Sequence, residues 1–156
     1  MLSEDDLEQQ SLQWFAELGW EVLHGPDIAP DGDNPLRASF HDVFLRPLLL
    51  EQLQKINPHL PVAVLDEVIL RIAHAQSPDL IVSNKAFHHL LLDGVPVQYK
   101  QDDNVIHDKA LLMDFYHPNH NRFTVVNQVA IQGTKQVRRP DVICYINGLP
   151  VAVIEL

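Results

Sequence analysis

Arg138-Arg139-Pro140-Asp141-Val142-Ile143-Cys144-Tyr145-Ile146-Asn147-Gly148-Leu149-Pro150-Val151-Ala152-Val153-Ile154-Glu155-Leu156 is the stretch whose reading decides the fold. Two short apolar runs rich in β-branched residues, Val142 to Ile146 and Val151 to Ile154, flank Asn147-Gly148, a dipeptide that accepts the positive φ angles of a tight hairpin turn. The segment predicts a β-hairpin with an acidic residue, Asp141 or Glu155, at the outer end of each arm. An otherwise buried sheet has little structural use for a charge there. Two carboxylates delivered by neighbouring strands suit a hard divalent cation such as Mg²⁺, which takes one or two protein carboxylates and fills its octahedron with water and substrate oxygens.

Register decides whether the two carboxylates share a face. A strict two-residue loop with regular pairing sets Asp141 opposite Ile154 and sends Glu155 to the other side of the sheet. The site therefore requires a shift of one residue, through a three-residue connection or a β-bulge near Pro150, which cannot donate to the ladder.

The same segment resembles the nuclease signature of the PD-(D/E)xK superfamily, and its flanks resemble the restriction subunit of type I restriction-modification enzymes. That family shows an Arg-Arg-Pro-Asp start, an apolar strand, an Asn-Gly-Leu-Pro turn, a second apolar strand, and then Glu, an apolar residue and Lys. Pro140-Asp141 and Glu155-Leu156 match, and the sequence stops where the lysine would follow. The resemblance implies an α/β, restriction-endonuclease-like fold with a central mixed sheet of about five strands flanked by helices. It implies Asp141 and Glu155 as catalytic Mg²⁺ ligands, the backbone carbonyl of Leu156 as a third ligand, and a glutamate of the first helix facing the metal, for which Glu8 is the candidate beside Glu4 and Glu17.

The activity so implied is Mg²⁺-dependent hydrolysis of DNA phosphodiester bonds in ATP-driven restriction of foreign unmethylated DNA. ATP would be used by motor domains of the full subunit, not by this segment, and the partners would be the methylation and specificity subunits. A lysine in such a motif orients the attacking water and stabilises developing charge, so the isolated chain is expected to be inactive. A second reading stands beside this one: a non-catalytic interaction module or decayed fragment that docks on the methyltransferase or motor and cuts nothing.

Composition bounds these readings. The 156 residues, 46% of them hydrophobic, match one domain spanning 1–156, C-terminally incomplete, with enough apolar material for a sizeable core. No run of about eighteen apolar residues suits a membrane, and the acidic start Met1-Leu-Ser-Glu-Asp-Asp lacks the basic flank of a signal peptide, so a cytoplasmic location is expected. The net charge of -10 argues against strong autonomous binding to nucleic acid, because phosphate contacts need clustered Lys and Arg. Binding to DNA by this segment alone should be weak. The one cysteine, Cys144, excludes an internal disulfide and reads as a small buried hydrophobe. No glycine-rich phosphate loop occurs among six glycines.

Along the chain, Leu7, Leu12, Trp14, Phe15 and Leu18 recur at helical spacing, with Ser3 as N-cap and Gly19 as terminator. Gly19 to Leu23 reads as a strand and Gly25 to Pro35 as a loop. Phe40 to Lys55 and Val62 to Ala75 read as helices separated at Asn57-Pro58, and a third helix, capped by Ser77 or Asp79, runs through Leu92 as a further packing layer. Val95 to Lys100, Val105 to Phe115 and Arg122 to Gln132 read as strands that complete the sheet, with Gln101 to Asn104 as a hairpin turn. Asn84 to Val95, Asp114-Phe115 and Asn121 to Gln128 also resemble segments of the restriction subunit.

Asn127 and Gln128 are candidates to line the site or approach DNA, or are simply hydrogen-bonding groups at a sheet edge. Arg138 and Arg139, adjacent to Asp141, are candidates to position the scissile backbone, or to neutralise the carboxylates. Nine histidines raise the question of zinc, but one cysteine cannot complete the usual structural ligand set. His117 and His120, around Pro118-Asn119, read as exposed loop residues.

Overall fold

The computed structural model describes residues 3–74 and 79–156. In chain order the elements are α1 (Glu4–Glu17), β1 (Glu21–His24), α2 (Gly25–Ile28), α3 (Arg46–Ile56), α4 (Val62–His74), α5 (Leu80–Asp93), β2 (Val95–Gln101), β3 (Asn104–Ala110), a 3₁₀ turn (Pro118–His120), β4 (Phe123–Asn127), β5 (Ile131–Gln132), β6 (Val137–Arg138), β7 (Val142–Ile146) and β8 (Leu149–Ile154). Two compact units emerge. One joins the chain up to Leu48 with Arg122–Leu156, and the other is Leu49–Asn121.

The first unit is built on a mixed four-stranded sheet in the order β1-β4-β7-β8. β1 runs parallel to β4, from Glu21 opposite Thr124 to His24 opposite Asn127. β4 and β7 are antiparallel, as are β7 and β8. Apolar clusters cover both faces. Leu12 of α1 packs with Val125, Val142 and Cys144, while Ile28, Leu45 and Leu48 pack with Val126, Ile143 and Tyr145. Alternate residues of one strand feed opposite clusters, which is why Val142 to Ile146 is continuously apolar instead of alternating with polar residues.

α1 begins as expected: the Ser3 hydroxyl accepts from the Asp6 N–H while the Asp6 carboxylate accepts from the Ser3 N–H, a reciprocal cap that satisfies end groups of the helix. The helix ends at Gly19, whose φ of +88° suits glycine. Phe15, Trp20 and Phe123 then pack in series, with ring centroids 5.1 and 5.2 Å apart and planes inclined at 61° and 57°.

In the second unit, Leu65, Val68, Ile69 and Ile72 of α4 are buried, and α4 packs against β2. Asn57 is also buried; its amide donates to Leu53 O and Leu111 O and its carbonyl accepts from Leu111 N–H, so one side chain satisfies the backbone on two sides.

Several expected boundaries move. β2 and β3 pair only with each other, through a turn in which Asp102 and Asp103 take φ of 50° and 65°. The main sheet thus has four strands, not about five, because this hairpin satisfies its own ladder. The strand expected over Arg122 to Gln132 breaks at Gln128, whose φ is 52°, and resumes as β5 against β6. Residues 40–45 are not helical, and α3 starts at Arg46. Asp79 caps α5, accepting from the Ile81 and Val82 N–H groups; Ser77 lies outside the described residues. α5 buries none of its residues fully; Phe87, Leu90 and Leu91 are half-buried.

Candidate functional site

The expected register shift is present. Asn147 and Gly148 form a two-residue turn with φ of 55° and 81°, and Ile146 faces Leu149 across it. Tyr145 then pairs with Pro150, but Cys144 pairs with Ala152, leaving Val151 as the extra residue of a β-bulge. Beyond it Val142 faces Ile154. One further step in that register sets Asp141 across from Glu155. The backbone N–H of Leu156 donates to Asp141 Oδ2 over 2.7 Å, tying the two chain segments together just past the strands.

The strand directions gather other polar groups at this end of the sheet. β1 ends at His24, β4 ends at Asn127, β7 begins after Asp141 and β8 ends before Glu155. Glu8 reaches the same end from α1. It is 7% exposed, whereas Glu4 and Glu17 are exposed residues. One carboxylate oxygen accepts from the Asn127 amide and the other from the Gln128 amide, each over 2.6 Å. Such short bonds match charge-assisted ones. The Gln128 N–H in turn donates to the Asp141 carbonyl over 3.0 Å.

This network orients His24, a residue without a motif to mark it in the sequence. Because a carboxylate only accepts, the Asn127 atom facing Glu8 is its amide nitrogen, and its carbonyl oxygen faces His24 Nδ1 over 2.8 Å. His24 Nδ1 therefore carries the proton and donates, and in the neutral ring Nε2 is left with the lone pair. Gly25, the next residue, allows the close approach: a Cβ there would lie 2.4 Å from Gln128 O and 2.5 Å from Asn127 O.

Asp141 is partly buried, and Glu155 and Leu156 are exposed. Their donors are oxygen atoms, the type that Mg²⁺ selects. Glu8, Asp141 and Glu155 do not converge as three ligand atoms; among the described residues the one such group of three is Asp114, His117 and His120. Glu8 meets Asp141 through Gln128 instead. The Asn127 and Gln128 amide nitrogens, candidates for DNA contact, are engaged by Glu8. Arg138 and Arg139 are exposed, and among the described residues neither forms an ion pair with a carboxylate. Cys144 is buried and its thiol is pushed up by desolvation, as a core residue's should be.

At the far end of the sheet, Arg122 grips Glu21 with two hydrogen bonds of 2.8 and 2.9 Å, joining β1 to β4. No helix among the described residues is long and apolar enough to cross a membrane.

Comparison with known proteins extends the geometry. The chain is 39% identical over its whole length to the "Type I restriction enzyme HindI endonuclease subunit" of Haemophilus influenzae, covering 15% of that protein. It is 29% identical, over 99% of its length, to the "Putative type I restriction enzyme MjaIXP endonuclease subunit" of Methanocaldococcus jannaschii, again covering 15% of the relative. The chain thus spans about one seventh of these curated relatives. The family model described as type I restriction enzyme R protein N terminus matches residues 1–156. With that match running from end to end, and with the hairpin and its carboxylates in place, the chain belongs to the family of type I restriction enzyme R protein N-terminal regions.

Proposed function

We propose that this chain is the DNA-cleaving region of a type I restriction subunit, with a PD-(D/E)xK site at the end of the β1-β4-β7-β8 sheet. The observation that carries the reading is the bulge at Val151, which pairs Val142 with Ile154, a register that continued by one residue would set Asp141 across from Glu155, while Glu8, Asn127 and Gln128 brace the start of β7. Asp141, Glu155 and the backbone carbonyl of Leu156 would hold Mg²⁺. When bound, the ion would polarise the scissile phosphate and lower the pKa of a coordinated water.

The chain's own residues supply the rest. Glu8 is a positioning residue that acts through Gln128 on the Asp141 backbone. Arg138 and Arg139, exposed beside Asp141, would engage the phosphates flanking the scissile bond. The acidic balance of the chain is consistent with most DNA affinity residing in the rest of the assembly, where the methylation and specificity subunits would choose the site and the motor would consume ATP.

The test is plasmid cleavage by the complete subunit in its assembled complex, with ATP hydrolysis followed in parallel. Asp141→Asn should abolish Mg²⁺-dependent cleavage and leave DNA-stimulated ATP hydrolysis intact. Undiminished cleavage by that variant would refute the assignment and favour an interaction module.

A further inference from the structure

Asp114, His117 and His120 lie on the segment between β3 and β4 and take no part in the site above. His117 Nδ1 and His120 Nδ1 stand 3.4 and 3.0 Å from the same oxygen, Asp114 Oδ2, and the three residues can each offer one ligand atom within 4.8 Å of the other two. The arrangement is built by the backbone. Asp114 Oδ1 accepts from the Tyr116 and His117 N–H groups over 3.1 and 2.9 Å, which turns Oδ2 toward the imidazoles. Asn121 closes the loop: its carbonyl accepts from the Asp114 N–H, and its amide donates to Asp114 O and Pro118 O. The 3₁₀ turn then brings the two rings together, nearly parallel at 22° with centroids 4.9 Å apart.

These separations have a chemical meaning. Imidazole and carboxylate ligands sit about 2.0–2.2 Å from a tetrahedral Zn²⁺, which places ligand atoms roughly 3.3–3.5 Å apart. The 3.4 Å separation falls in that range and the 3.0 Å one just short of it, so an ion could be accepted with small side-chain adjustments. Two imidazole nitrogens and one carboxylate, without thiolate, suit a borderline first-row cation better than Mg²⁺ or Ca²⁺. The ligating carboxylate is itself hydrogen-bonded, as metal-bound carboxylates are. With the histidine side chains 67% and 64% exposed, a fourth position would go to water, which describes an open surface site, not a structural one.

We propose that Asp114, His117 and His120 bind one first-row transition-metal ion of the Zn²⁺ or Ni²⁺ class, separately from the carboxylate site. The competing account, ion pairs between protonated histidines and Asp114, needs no metal. Metal binds the deprotonated ring nitrogens, so protons compete with the ion for the same ligand atoms.

The experiment is calorimetric titration of this chain with Zn²⁺ at pH 7.5, with Co²⁺ absorption reporting coordination. One equivalent should bind, and His117→Ala, His120→Ala and Asp114→Asn should each weaken it by at least about tenfold. Asp114→Asn keeps an oxygen for the two backbone N–H groups, and unchanged circular dichroism would confirm that the loop's host remains folded. Absence of binding, or binding that survives all three substitutions, overturns the proposal.

Discussion

The Leu156 backbone N–H and the Asp141 carboxylate, fifteen residues apart, meet over 2.7 Å because β8 carries one residue more than β7 between the turn and the end of the sheet. The bulge is what makes the two ends coincide. Regular pairing from the Asn147-Gly148 turn would bring Ile154 to Asp141 and turn Glu155 away.

The bulge predicts an asymmetry between deletion and insertion. Removing Val151 makes the hairpin regular yet keeps Val142 opposite Ile154, so cleavage by the complete subunit should stay within about tenfold of wild type. Inserting one alanine between Ala152 and Val153 brings Ile154 opposite Asp141, and cleavage should fall by about 10²-fold or more. Plasmid cleavage with ATP hydrolysis as the control checks both; equal loss in the two variants would count against the register argument.

Glu8 should matter to folding in a way that other glutamates of α1 do not. Glu8→Gln sets an amide against the two amide donors of Asn127 and Gln128 and should cost about 1–3 kcal/mol. Glu17→Gln, at an exposed position, should change stability by less than about 0.5 kcal/mol. Urea unfolding of this chain measures the difference.

Gly25→Ala should be destabilising through contact, not conformation. Its Cβ would press to 2.4 Å from a backbone carbonyl that cannot swing aside as a side chain can, so a cost of about 1–3 kcal/mol is expected. Gly19→Ala has open space around it but a φ of +88°, and should cost about 1 kcal/mol from backbone strain alone. In the Gly25 variant, Asn127 and Gln128 should also lose protection from amide hydrogen exchange, and the Gly19 variant should leave them protected.

Tyr145 makes stability fall at alkaline pH. Burial pushes its phenol from 10.0 to about 12, with the Arg37 charge opposing the shift, and its hydroxyl donates to Val43 O over 3.2 Å. Below pH 10 the phenol is neutral in folded and unfolded chains and the stabilisation is complete. Between pH 10 and about 12 only the unfolded chain ionises, so up to roughly 2–3 kcal/mol should be lost across that window. Tyr145→Phe should remove this part of the pH dependence and cost about 0.5–1.5 kcal/mol at neutral pH. Unfolding midpoints from pH 8 to 12 test the sign.

Much of the site was legible locally. Asn147-Gly148 specifies its own turn because the positive φ angles are a property of those residues, and Ser3 with Asp6 specifies the start of α1 for the same kind of reason. The requirement for a shift near Pro150 followed from side-chain alternation once both carboxylates were taken to share one metal. His24 was not legible: its role comes from a parallel pairing with Asn127 across more than one hundred residues. The two-strand β2–β3 hairpin was legible as strands but not as a separate sheet, since apolar pattern does not name a strand's partner.

The sequence by itself determined the terminal hairpin and the position of its two carboxylates, because turn chemistry and β-branched runs act over a few residues, and its likeness to known restriction subunits determined the family. Tertiary structure alone decided that Glu8 is the buried glutamate of α1, that His24 joins its network, and that Asp114 lies between two histidines. The first two outcomes depend on which distant segments pack together, and burial turns a generic carboxylate into one with fixed partners; the third depends on a loop geometry that residue spacing alone does not specify.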